Sequence, residues 1–199
     1  MIANGPNNMS VKAIPGEYNL QGVREMASGF LLKPDGNFQF FFIYGGLDRH
    51  GEGKWVEKNG RVIFNSRPKP MADFTLVNSN AGTNGPVTIK MEGGNPMLLR
   101  HIFSSLENGA EGSWKQMSQE GEVSFPVQKV ETVSLLLEFC PERFSTMAVP
   151  HPGHTEFIFR FEPTIMEVFF EDFSLQTEPE GLSGGHPLME GDAFSYAKQ

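Results

Sequence analysis

Two imidazoles and a carboxylate fall within six residues in His151-Pro152-Gly153-His154-Thr155-Glu156. These are ligand types that zinc prefers. The segment is broken by Pro150 and Pro152 and has no further ligand near it in sequence, so it reads as a solvated turn and no metal is assigned. Glu167, Glu171 and Asp172 could suggest paired carboxylates for acid–base work. On a strand, however, Glu167 and Glu171 stand about 13 Å apart, too far to share a proton. Val168 and Phe170 alternate opposite them, which is the pattern of a solvated strand face. Ser28, Ser104, Ser105 and Ser113 offer hydroxyls, but none lies in a G-x-S-x-G elbow. No GxxxxGK[ST] phosphate loop occurs, and the pairs Gly45-Gly46, Gly93-Gly94 and Gly184-Gly185 read as turns. No catalytic residue is assigned.

Composition narrows the classes further. The 199 residues carry a net charge of −8, and lysines and arginines are scattered singly, which argues against a nucleic-acid surface. Cys140 is the only cysteine, so neither an intrachain disulfide nor a thiolate metal cage can form. It sits in an apolar run and reads as a small buried hydrophobe. No window reaches the roughly 20 apolar residues of a membrane-spanning helix. The first 14 residues have neither the basic start nor the apolar core of a signal peptide. The expectation is a soluble protein, either cytoplasmic or periplasmic or secreted with its leader absent from this numbering.

The elements that must position these groups are strands. Pro34-Asp35-Gly36-Asn37 and Asn59-Gly60 announce two successive hairpins. Between them, residues 37–44 (NFQFFFIY) place Phe38, Phe40, Phe42 and Tyr44 on one face, and Gln39, Phe41 and Ile43 on the other. Flanking strands are expected at 17–23, 27–33, 51–57, 61–66 and 73–78. The NSNAGTNGP stretch at 78–86 reads as a linker. Beyond it, short strands at 87–91, 98–103, 112–117, 122–125, 132–139 and 155–161 indicate a sandwich. Helical periodicity is nearly absent, with 97–106 as the one weak candidate. The tail adds strands at 166–176 and 192–197. About six strands precede the linker, whereas a filled barrel takes about eight. The tail therefore returns to the first domain in one topology and extends the second in the other. The first gives an all-β chain with an antiparallel barrel from 16–80 and 163–199, and an inserted sandwich at 84–162.

Gly16-Glu17-Tyr18, Gly22-Val23-Arg24-Glu25-Met26-Ala27-Ser28-Gly29, Lys33-Pro34-Asp35-Gly36 and Gly53-Lys54-Trp55 together resemble lipocalin-like β-barrel modules of uncharacterised bacterial proteins, with Tyr18 where those modules usually carry tryptophan. Val87-Thr88-Ile89, the turn at Gly94-Asn95-Pro96 and Gly121-Glu122-Val123-Ser124-Phe125 are similar to transthyretin-like, carboxypeptidase regulatory-like β-sandwich modules, which belong with immunoglobulin-like folds. The resemblance implies a non-enzymatic binding or structural protein, and no catalytic residue or cofactor comes with it. Three functional classes follow. The leading one is a non-catalytic β module that binds a protein partner or contributes to an assembly. A second is a carrier of a hydrophobic small molecule. Its barrel pocket would be lined by Tyr44, the Phe38-Phe40-Phe42 row and Trp55, with Arg24 as polar anchor at the mouth. A side-chain-filled core is the plainer expectation for a small barrel. The expected loop at 44–50, with Asp48, Arg49 and His50 beside flexible glycines, offers partner-contacting residue types. The third class, an enzyme, would use the His151 and His154 region.

Overall fold

Asn59 and Gly60 adopt positive φ (53° and 73°) and fold β4 (Leu47–Lys58) back onto β5 (Arg61–Asn65), the hairpin geometry such a pair favours. The computed structural model describes residues 14–81, 85–107, 109–126 and 129–199. Ahead of this hairpin, β1 (Gly16–Leu20), β2 (Met26–Leu32) and β3 (Asn37–Tyr44) run as an antiparallel meander into β4. The β2–β3 turn is set by Gly36 at φ 79° and by the Asp35 carboxylate, which accepts the Asn37 N–H at 2.9 Å.

One compact unit breaks off at Lys69 and resumes at Glu167; Pro70–Met166 form a second. The second unit contains β6 (Phe74–Asn80), β7 (Val87–Met91), β8 (Ile102–Ser105), β9 (Lys115–Gln116), β10 (Glu122–Phe125), β11 (Thr132–Leu137), β12 (Ser145–Ala148) and β13 (Glu156–Phe161). They form two four-stranded sheets, β10-β7-β13-β6 and β12-β11-β8-β9. Val87, Ile89, Phe157 and Phe159 from one sheet share a single buried core with Ile102, Val133, Leu135 and Leu137 from the other. Cys140 is buried in this core. A buried ion pair between Asp73 and Arg143 ties the start of the unit to its end, because Arg143 Nη1 also donates to the Thr164 carbonyl at 2.8 Å.

The chain then returns through β14 (Phe173–Glu178), β15 (Gly181–His186) and β16 (Met189–Lys198). These close an antiparallel eight-stranded barrel in the order β1-β16-β15-β14-β5-β4-β3-β2, which leaves it no edge strand. Alternate residues point inward and meet as rings: Phe30 lies 4.7 Å from Phe64, 5.0 Å from Phe40 and 5.4 Å from Tyr196, centroid to centroid. Phe170, from the returning segment ahead of β14, enters the same group at 5.0 Å from Phe38 and 5.4 Å from Phe40. Gly51 permits this crossing, since a Cβ there would meet the Val168 carbonyl oxygen at 2.5 Å. Among the described residues no helix is long and apolar enough to cross a membrane.

Several elements differ from the sequence expectation for identifiable reasons. The strand expected at 73–78, ahead of the linker, runs over Phe74–Asn80 and pairs with β13. Gly184-Gly185, expected as a turn, lies inside β15, where the absent side chains let β14 approach: a Cβ on Gly184 would meet Leu175 Cδ2 at 3.0 Å. The expected 166–176 strand starts only at Phe173, because Val168 N–H donates to the His50 carbonyl at 2.7 Å and Ser66 N–H to the Phe170 carbonyl at 2.9 Å in an irregular crossing. The expected 44–50 loop shrinks to Gly45-Gly46, and residues 47–50 continue the in–out alternation of β4. The weak helical candidate reduces to one turn, Pro96–Leu99, which the Asn95 side chain caps by accepting the Met97 N–H.

Candidate functional site

Within the barrel's ring-filled interior, one polar group stands out. Ser28 on β2 pairs across to Phe42, and Phe42 pairs to Arg49 on β4, so Ser28, Phe42 and Arg49 form one row of inward positions. From β15, His186 reaches this row: its Nε2 lies 3.0 Å from Ser28 Oγ. The imidazole is 6 % exposed and is ringed by Phe40 at 5.9 Å, Phe42 at 5.6 Å and Phe194 at 5.6 Å, with Tyr196 stacked at 6.5 Å.

Hydrogen bonding fixes the protons. Leu188 N–H donates to His186 Nδ1 at 3.0 Å, so Nδ1 is an acceptor and the neutral ring carries its proton on Nε2. Nε2–H then donates to Ser28 Oγ, and Ser28 donates in turn to the Phe41 carbonyl at 2.9 Å. Burial lowers the His186 pKa to about 4 and keeps the ring neutral. Burial likewise raises the Tyr196 phenol, which donates to the Gly185 carbonyl at 3.0 Å. A serine nucleophile needs a histidine that accepts its proton and a third group that receives the histidine's other N–H. Here the histidine donates to the serine and its second nitrogen accepts, the reverse arrangement. The geometry satisfies buried polar atoms where the β15–β16 turn closes the barrel end.

The sequence-derived candidates occupy separate places. Arg24 is exposed in the β1–β2 connection. Tyr44, 51 % exposed, ends β3 at the Gly45-Gly46 turn of the same barrel end. Asp48 lies on the outward face of β4 and is exposed, whereas Arg49 beside it faces inward and is buried. Trp55 lies eight residues beyond Leu47 on β4, about 27 Å along the strand. There its indole N–H donates to the Lys33 carbonyl at 3.0 Å, and its backbone N–H to the Gly36 carbonyl at 2.8 Å, bracing the β2–β3 turn at the opposite end. Arg24, Tyr44 and Asp48 thus gather around one barrel end, and Trp55 does not join them. On the barrel wall, a groove of about 490 Å³ runs over Gly53 between Lys33, Gln39, Glu52, Lys54 and Arg67.

In the second unit, the His151 and His154 rings lie 4.6 Å apart, and His154 Nδ1 is 2.8 Å from Ser79 Oγ. The Glu156 carboxylate is held by Lys90 Nζ at 2.8 Å and Asn80 Nδ2 at 2.9 Å, and these contacts keep its pKa below the usual carboxylate range. Among the described residues, no three His, Cys, Asp or Glu side chains are grouped to hold a metal ion. Glu167 pairs with Arg67 at 2.6 Å. His186 was the residue that sequence reasoning missed. Its signal was the alternation Leu182, Gly184, His186, which continues an inward face through glycines that look like a turn. Compared with known protein families, curated proteins and solved structures, the chain matches none.

Proposed function

We propose that the chain is a non-catalytic β module that serves protein interaction or structure, built as a lipocalin-like barrel of the bacterial type carrying a transthyretin-like sandwich between β5 and β14. The observation that carries this reading is Phe170. The returning segment puts its ring among Phe30, Phe38, Phe40, Phe64 and Phe173, where a carried ligand would otherwise lie. The inward polar pair supports the same reading, since Ser28 and His186 spend their hydrogen bonds on each other and on backbone. Interaction with a partner is then the work of outer faces and of the inserted unit. Native mass spectrometry of the full chain isolated from its source cells tests the proposal. The expected spectrum contains the polypeptide without an apolar adduct and a complex with a second protein chain. A stoichiometric apolar small molecule on an otherwise lone polypeptide overturns it in favour of ligand carriage.

A further inference from the structure

We infer that the edge of β12, which pairs with no further strand among the described residues, is a docking strand, which takes an extended segment of a partner protein as a fifth strand of the β12-β11-β8-β9 sheet. The hydrogen-bond register assigns the edge its chemistry. Val149 N–H donates to the Glu131 carbonyl at 2.9 Å, so in the Thr132↔Ala148 and Ser134↔Thr146 pairs the backbone groups of Ala148 and Thr146 point away from β11. Both residues are exposed, and each offers one donor and one acceptor to an incoming backbone. Phe144 shares their outer face by alternation; it is 54 % exposed and sits edge-on to Trp114 at 6.2 Å. An added strand would lay alternate apolar side chains against this aromatic pair.

The other described edges of the unit are guarded in the ways that discourage strand addition. On β10 the outward Ser124 carbonyl is taken by Lys115 Nζ at 3.4 Å, and Glu122 stands beside it. β9 is two residues long and carries Lys115. β6 is interrupted by a register shift opposite Ile158 and Phe159. The Ser145–Ala148 strand has no charge, no proline and no register shift.

The inference rests on the protein-interaction role proposed above, and the following experiment separates the two. A phage-displayed library of random linear peptides is selected on the full chain, and enriched peptides are titrated against Ala148→Pro and Ala148→Lys. The Ala148 N–H points outward, so neither variant removes a ladder hydrogen bond, and an unchanged melting temperature checks the fold. Enriched peptides with alternating apolar residues are expected to bind Ala148→Pro about tenfold more weakly, the loss that one main-chain hydrogen bond amounts to. They are expected to bind Ala148→Lys more weakly as well, because an edge lysine sets its charge against an added apolar strand. Equal binding to wild type and variants overturns the β12 edge and leaves the interaction role standing. Failure to enrich any peptide also overturns the edge, and leaves that role to native mass spectrometry.

Discussion

His186 carries the sharpest consequence at the scale of single residues. Its folded pKa of about 4 lies below the ordinary value of 6.5. Between those values the unfolded chain binds a proton that the folded barrel refuses, so stability falls as pH drops through this window and rises again on return. The loss is complete below the folded value and amounts to about 3 kcal/mol. Charging the ring also removes the acceptor for Leu188 N–H. Urea unfolding of wild type and His186→Gln at about pH 7.5 and about pH 4.5 checks this. The wild type is expected to lose more stability between the two conditions than the variant; equal losses contradict it. Little of this was legible in the sequence, because a histidine after two glycines carries no mark of burial until its strand neighbours are known. Phe38, Phe40 and Phe42 were legible, since alternation alone assigns them one face. Arg49 was legible as a residue type on a partner-contacting loop, and its burial came from the two-residue turn that keeps β4 in register.

Elements show why turns read more easily than close approaches. Asn59-Gly60 and Pro34-Asp35-Gly36 specify their turns locally, so the hairpins around them were plain from the chain. β15 was hidden because its glycines are there for packing against β14 and β16, and not for positive φ alone. The same principle governs Gly51, whose missing side chain makes room for the Val168 carbonyl and the Phe170 ring. Gly51→Ala is expected to destabilise the barrel by about 1–3 kcal/mol, because backbone at 2.5 Å cannot yield as a flexible side chain would. Each unit contains one of the two tryptophans, Trp55 or Trp114, so a Trp114→Phe background reports on the barrel alone. Denaturation followed by Trp55 emission is expected to shift to lower denaturant in Gly51→Ala. An unchanged midpoint contradicts the close-approach account.

For the whole molecule, the chain order places Pro70–Met166 between two barrel strands. The barrel ends of that insertion are tied to each other: Ser66 N–H donates to the Phe170 carbonyl at 2.9 Å, and Arg67 pairs with Glu167 at 2.6 Å. Replacing Pro70–Met166 by a short glycine–serine linker is therefore expected to leave a folded barrel with cooperative melting and native Trp55 emission. A barrel that loses its cooperative transition would show that the ties at Ser66 and Arg67 are insufficient. Above all, the chain's own rings occupy the barrel interior. Titration of the full chain with a fluorescent long-chain fatty acid tests it most directly, with Phe170→Ala beside it. Wild type is expected to show no saturable binding, and Phe170→Ala to be less stable by about 3–5 kcal/mol for the lost ring. Saturable one-to-one binding by wild type, competed by unlabelled fatty acid, would contradict the account.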